Sequence, residues 1–166
     1  MKIALRVITV VVTVATSLLT VPPSAMAASR SVTDGRGDAA AHGDLTRVTY
    51  INGDRRVAGR ARLADLRRDG SFQLVAAIPN SDVGYAARVW RKPGGGVGSR
   101  LVLFTNTQVV RQRCNVTARW KRSADLVTVS FPRTCIEDMP NRLYMAASFR
   151  VSGERDYARR AILKRG

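Results

Sequence analysis

Residues 114 to 135 read CNVTARWKRSADLVTVSFPRTC, with the chain's two cysteines, Cys114 and Cys135, at the ends. Apolar and polar side chains alternate on both sides of a polar centre at Ser123-Ala124-Asp125. Alternation with period two marks a strand with one buried face. Folding the stretch between Ala124 and Asp125 sets Cys114 against Cys135, Ala118 against Phe131 and Trp120 against Val129. Those residues, with Val116 and Val127, then share one face. Asn115, Thr117, Arg119 and Lys121 share the other with Thr134, Pro132, Ser130 and Thr128. A single register sorts apolar from polar and brings the sulfurs together, so a hairpin closed by a disulfide is expected. A loop of this length gives roughly 3 kcal/mol of stabilisation in the chain-entropy model. Pro132 has no N–H, which predicts a frayed ladder or an edge strand there.

Working outward, the same period recurs. Val57, Gly59, Ala61 and Leu63 alternate with Arg56, Ala58, Arg60 and Arg62, giving one apolar and one basic face. Asn52-Gly53 upstream signals a turn, so 45–51 and 55–64 form a first hairpin. Further runs are Phe72 to Ile78, Tyr85 to Arg91, Leu101 to Thr105, Gln108 to Arg113, Arg142 to Val151 and Ala158 to Leu163. Pro79-Asn80-Ser81-Asp82, Pro93-Gly94-Gly95-Gly96 and Met139-Pro140-Asn141 punctuate them. Helix remains an alternative at Leu63 to Arg68 and Ala158 to Lys164. Short strands at this spacing predict an all-β fold: an antiparallel Greek-key sandwich, jelly-roll-like, of about eight to ten strands over 44–166.

Two segments precede that domain. Residues 28–43 are small, polar and Gly-rich and read as a flexible arm. Residues 1–27 have the anatomy of a secretory signal peptide. Lys2 and Arg6 lead, Val7 to Val21 is an uncharged apolar run, Pro22-Pro23 breaks it, and Ala25-Met26-Ala27 supplies the small residues for cleavage after Ala27. The run of roughly 15 residues is short for a membrane span, and no span is expected in the mature chain. A secreted protein is the expectation, and an even cysteine count in that setting agrees with a disulfide.

Residues 1–27 hold two basic residues and no acid, so the remainder keeps 26 Lys+Arg against 12 Asp+Glu, a net +14. Such charge draws a protein to anionic polymers. Arg outnumbers Lys 24 to 4, which GC-rich codon usage also explains; the shortage of acids it does not explain.

The residues also carry a resemblance. Asp34-x-x-Gly37-Asp38, Gly43-Asp44-Leu45-Thr46-Arg47-Val48, Asn52-Gly53, Ala61-Arg62-Leu63-Ala64-Asp65-Leu66, the Val127 to Cys135 run and Asp156-Tyr157 resemble a group of small exported actinobacterial proteins. The resemblance covers roughly residues 34 to 166. It implies a β-sandwich with one disulfide and implies no activity.

Candidate chemistry is sparse. The single His, His42, lies in the arm, and the two Glu, Glu137 and Glu154, do not pair in sequence, so no catalytic residue is assigned. Asp34, Asp38 and Asp44 suggest Ca²⁺, but their spacing is not that of an EF-hand, and turn-capping acids account for them; no metal or cofactor is expected. Arg36-Gly37-Asp38 spells an adhesion tripeptide and Asn115-Val116-Thr117 a glycosylation sequon, both patterns that arise by chance. Trp120 falls on the core face of its hairpin and reads as packing. Trp90 falls opposite Tyr85, Ala87 and Val89, so it is a candidate exposed ligand contact, and Arg56, Arg60 and Arg62 are the others. The functional expectation is a non-catalytic basic module, binding anionic polymers of the cell envelope or nucleic acid through general charge. The alternatives are an exported enzyme whose site is not recognisable in sequence, and a protein inhibitor or effector.

Overall fold

The computed structural model describes residues 27–35, 37–39 and 42–166. Residues 1–26 of the expected signal peptide, and Arg36 of the Arg36-Gly37-Asp38 tripeptide, lie outside the described residues. Eleven strands form two antiparallel sheets. The first runs β1 (Ala28–Thr33), β2 (Leu45–Asn52), β3 (Arg56–Leu63), β9 (Leu126–Pro132), β8 (Thr117–Lys121). The second runs β11 (Glu154–Lys164), β10 (Arg142–Val151), β4 (Ser71–Ala77), β5 (Gly84–Arg91), β6 (Val97–Phe104), β7 (Val109–Gln112). β3 and β9 are neighbours in one sheet, and the strands that follow them, β4 and β10, are neighbours in the other. The chain therefore crosses between sheets twice at adjacent positions, which locks the two layers together.

The antiparallel sandwich is the architecture expected, with more strands than the eight to ten counted. The addition comes from the arm: Ala28–Thr33 pairs along the whole of β2, from Ala28 opposite Asn52 to Thr33 opposite Arg47. Only Val32 of this strand is a large apolar residue, so its sequence lacks a visible period. Backbone pairing and the Ser31–Thr49 hydroxyl contact of 2.7 Å hold it instead. The boundary expected after Ala27 coincides with the start of β1.

The core lies between the sheets. Val48, Tyr50, Val57, Ala61, Val127 and Phe131 of the first meet Phe72, Leu74, Leu101, Leu143, Met145 and Phe149 of the second, all fully or almost fully buried. Gly59 interrupts the apolar row of β3, where a Cβ would stand 2.9 Å from Leu74 Cδ1. Its absence lets the layers close at that point.

The cysteine hairpin forms with a register two residues tighter than expected. Trp120 faces Val127 and Ala118 faces Val129 across a 3-10 turn at Arg122–Ala124, with Asp125 in the left-handed region at φ 47°. A shift of two preserves every residue's face, so the sorting holds while each partner changes. The Cys114–Cys135 disulfide forms, its Cα atoms 6.0 Å apart. It lies beyond the ladder, which ends at Thr117 opposite Ser130, and ties the segment before β8 to a 3-10 turn at Arg133–Ile136. The ladder thus frays beside Pro132, which keeps a partner only in Arg56 of β3.

The first hairpin turns two residues later than Asn52-Gly53 suggests, with Gly53 N–H donating to Arg56 O at 3.0 Å around Asp54-Arg55. Asn52 is released for another task. It is fully buried and its amide donates to Asn141 O at 3.0 Å and Leu163 O at 3.1 Å. Its carbonyl accepts from Arg133 Nη1 at 2.9 Å. Arg133 is itself buried and donates to Pro140 O at 2.7 Å and Met139 O at 3.3 Å. Burial, then Arg165, pushes the Arg133 guanidinium below its ordinary pKa.

Two stability outcomes follow from this arrangement. Replacing both Cys114 and Cys135 with Ser lowers unfolding free energy by about 3 kcal/mol, read as a lower urea midpoint with little change in slope. Asn52→Ala strands a buried guanidinium and two buried carbonyls, and costs about 3 kcal/mol in the same assay. An Asn52→Ala protein as stable as wild type would show that the network is not structural.

Candidate functional site

Charge is distributed by the strands. Of the 12 acids in the chain, only Glu154 and Asp156 lie within strands. Asp156 is turned inward and buried, opposite Phe149. The outward rows of both sheets therefore present cations with no acid among them. The described residues contain two ion pairs, Arg67–Asp65 and Arg165–Asp54, both in loops or at the chain end.

On the first sheet, the strand register builds rows of five. One row runs Ser31, Thr49, Arg60, Thr128, Arg119; the next runs Thr33, Arg47, Arg62, Leu126, Lys121. Arg56, Arg60 and Arg62 are exposed on this face, as their alternation implies, and Arg47, Arg119 and Lys121 join them. The three Arg are not equivalent. Arg56 is pinned flat across the sheet, donating to Ser130 Oγ at 2.9 Å and Thr117 Oγ1 at 3.2 Å. Arg60 borders a shallow hollow of about 350 Å³ with Arg119, Lys121, Thr128 and Ser130.

On the second sheet, Trp90 is half-buried on the outer face, so it lies on the opposite side of the sandwich from the Arg56 row. The candidate contacts named from sequence form two surfaces, not one. Two rows meet at Trp90. One is Tyr157, Ser148, Gln73, Arg88, Arg100; the other is Arg155, Arg150, Ser71, Trp90, Gly98. Arg88 and Arg100 flank the indole, and Arg150 and Arg155 continue its row beyond Ser71. Arg100 stacks over the Trp90 ring at 5.6 Å, and Arg88 donates to Gln73 Oε1 at 3.3 Å. A hollow of about 250 Å³ opens between Ser71, Arg88, Trp90 and Arg100. Burial, then Arg100, Arg155 and Arg150, pushes the Arg88 guanidinium below its ordinary pKa. The pattern continues toward β11, where Arg155 lies over Tyr157 at 5.8 Å and Arg160 over Tyr144 at 5.7 Å.

Gly98 sets the pose of Trp90. A Cβ at Gly98 would stand 2.4 Å from the indole Cε2, so the ring lies directly on the bare backbone of β6. Trp120 takes the packing role expected of it. It stands 5.6 Å from the Phe149 ring and donates from Nε1 to Arg67 O at 2.9 Å. Sequence alone missed Arg100, Arg150 and Arg155, because they join the Trp90 face only through strand pairings that its local period does not disclose. Arg88, two residues before Trp90 in the same strand, shares its outward parity.

The acids behave differently. Carboxylate oxygens of Asp38, Asp44 and Asp156 lie within 4.8 Å of one another, in a cluster that Asp34 borders. Burial first, then Asp38, raises the Asp34 carboxyl above the usual range, despite a backbone hydrogen bond from Gly35. Burial raises Asp156 likewise, against hydrogen bonds from Leu45 and Tyr157.

The chain matches no protein-family model, no curated protein and no solved structure.

Gly98→Ala expels the Trp90 indole from its seat. In a Trp120→Phe background the remaining tryptophan emission shifts to longer wavelength, while far-ultraviolet circular dichroism keeps its β signature. An unshifted spectrum would mean that Gly98 does not seat the ring.

Proposed function

We propose that the protein is a secreted, non-catalytic binding module whose outer sheet faces hold anionic polymers, those of the cell envelope first and nucleic acid through the same general charge. The observation that carries this reading is cation set directly against cation on adjacent strands. Arg88 faces Arg100, Arg150 faces Arg155 and Arg47 faces Arg62, with no acid interleaved. Directly opposed like charges disfavour the sheet by a fraction of a kcal/mol each. A polyanion laid across the strands removes that repulsion and releases its own counterions.

The two faces differ in what they supply. The Arg56, Arg60 and Arg62 face adds Ser and Thr hydroxyls to charge. The Trp90 face adds aromatic platforms, which stack on sugar rings or bases while guanidinium forks take phosphate or carboxylate. From Arg100 to Tyr157 the row crosses five strands, about 19 Å, enough for several repeats of a polymer.

Retention of the exported protein on a heparin or polyphosphate matrix tests this. Wild-type binding weakens steeply with salt. Arg100→Ala/Arg155→Ala and Arg60→Ala/Arg62→Ala each reduce the slope of log affinity against log salt by about 1 to 2 for the face that binds. On heparin, whose sugar rings stack, Trp90→Ala weakens binding about tenfold and leaves the slope unchanged; on polyphosphate, which has no ring, it leaves binding as in the wild type. Wild-type retention and slope in both arginine variants would remove the reading.

A further inference from the structure

The acidic cluster has the chemistry of a cation site. Asp34 follows β1, Asp38 lies in the 34–44 loop, Asp44 precedes β2, and Asp156 stands on β11 in the other sheet. Asp44 is 3% exposed and Asp156 7%, so both carboxylates are out of water. Part of their oxygen valence is met by backbone. Asp156 Oδ2 accepts from Leu45 N–H at 2.6 Å, and Asp44 Oδ2 from Gly37 N–H at 2.9 Å. Asp44 Oδ1 and Asp34 Oδ2 are buried and accept no hydrogen bond from any described residue. Neither ion pair among the described residues involves these four acids, although the chain carries 28 Lys and Arg. Buried carboxylates without a partner are costly and normally recruit a cation or a proton.

We propose that Asp34, Asp38, Asp44 and Asp156 form a Ca²⁺ site that fastens the 34–44 loop and the β1–β2 edge of one sheet to β11 of the other. The ligand set is oxygen only, which suits a hard cation and disfavours zinc or copper. Three of the four acids lie on or beside one irregular loop, and one exposed position, Asp38, leaves room for water. Ca²⁺ accepts such a flexible set of six to eight oxygens, whereas Mg²⁺ demands a near-ideal octahedron and keeps its own waters. Sites in extracellular modules bind Ca²⁺ at about 0.1 to 1 mM, the range this site needs to be filled outside a cell.

Chelator-treated, polyanion-free exported protein is titrated with CaCl₂ by calorimetry and melted with and without the ion. One Ca²⁺ binds per chain with Kd at or below about 1 mM. At ten times that Kd the melting temperature rises by about 3 °C or more. Asp38→Asn, exposed and free of core packing, weakens Ca²⁺ binding at least about tenfold, and its metal-free melting temperature stays equal to or above that of the wild type because repulsion has been relieved. Asp44→Asn abolishes the Ca²⁺ response. If Asp44→Asn does not fold, Asp34→Asn, half-buried, serves in its place. No heat and no thermal shift up to 10 mM Ca²⁺ overturns the site. So does an Asp38→Asn protein that responds like wild type, and an equal response to MgCl₂ overturns the assignment to Ca²⁺.

Discussion

The pairing of β3 with β9 holds the two sheets in register. Val57 faces Phe131, Gly59 faces Val129 and Ala61 faces Val127, joining segments some seventy residues apart in sequence. Because β4 leaves β3 and β10 leaves β9, the same event seats β4 against β10 in the opposite layer, from Ser71 facing Arg150 to Ala77 facing Tyr144. A contact of such separation costs loop-closure entropy before it contributes anything. The compensation is concentrated at the end where β9 crosses to β10. Arg133, just after β9, donates from its backbone N–H to Arg55 O and from its side chain to Asn52 and to the carbonyls before β10. Asn52 reaches Asn141 and Leu163 in turn. The charge is buried among carbonyl oxygens with no carboxylate against it, so each acceptor carries weight. The disulfide clamps the same region from outside, joining Cys135 of the turn to the segment before β8.

With the layers fixed, alternation decides where charge goes. The acids fall in loops, apart from Glu154, exposed at the first position of β11, and Asp156, which is turned inside. Codon bias explains an excess of arginine over lysine, but it does not place arginines opposite one another across neighbouring strands. The arrangement has one structural benefit that needs no ligand, since repulsive faces and edges discourage pairing between molecules. That benefit calls for charge at the edges. Arg88, paired on both sides within the second sheet and partly buried, lies away from any edge, and it is the residue most crowded by its own kind.

Much of the fold was legible because period two is a local property. The cysteine hairpin, the β2–β3 hairpin and the inward sets of β4, β5 and β10 all follow from alternation, and a two-residue register error left the faces intact. The eleventh strand was not legible, because β1 has serine and arginine where an apolar row would signal burial. Asn52 was misread for a good reason: its preference for turns is real, but the tertiary need for an amide at Arg133 moved the turn to Asp54-Arg55. Of the site, the exposure of Arg56, Arg60, Arg62 and the outward aim of Trp90 were readable from parity. Their neighbours were not, since Arg100, Arg150 and Arg155 arrive through strand order, and strand order is set by the β3–β9 and β4–β10 pairings rather than by any local signal.

The same limit explains the acids. Asp34, Asp38 and Asp44 stand close together in sequence, and on that basis alone turn-capping is the adequate account; Gly35 N–H bound to Asp34 Oδ1 is an instance of it. What changes their meaning is Asp156, which approaches from β11 and accepts Leu45 N–H across 111 residues. A capping acid keeps its second oxygen in water. Asp44, 3% exposed, cannot, and Arg159, the cation that acts on Asp34, makes no ion pair with it. In a chain this rich in arginine, four acids gathered with no ion pair among the described residues is a stronger statement than the same cluster would be in an acidic protein. Cations are abundant on both faces, yet no ion pair among the described residues reaches this cluster. The sandwich therefore separates its charges by position, with cations along both outer faces and Asp34, Asp38, Asp44 and Asp156 gathered where β11 meets the start of β2.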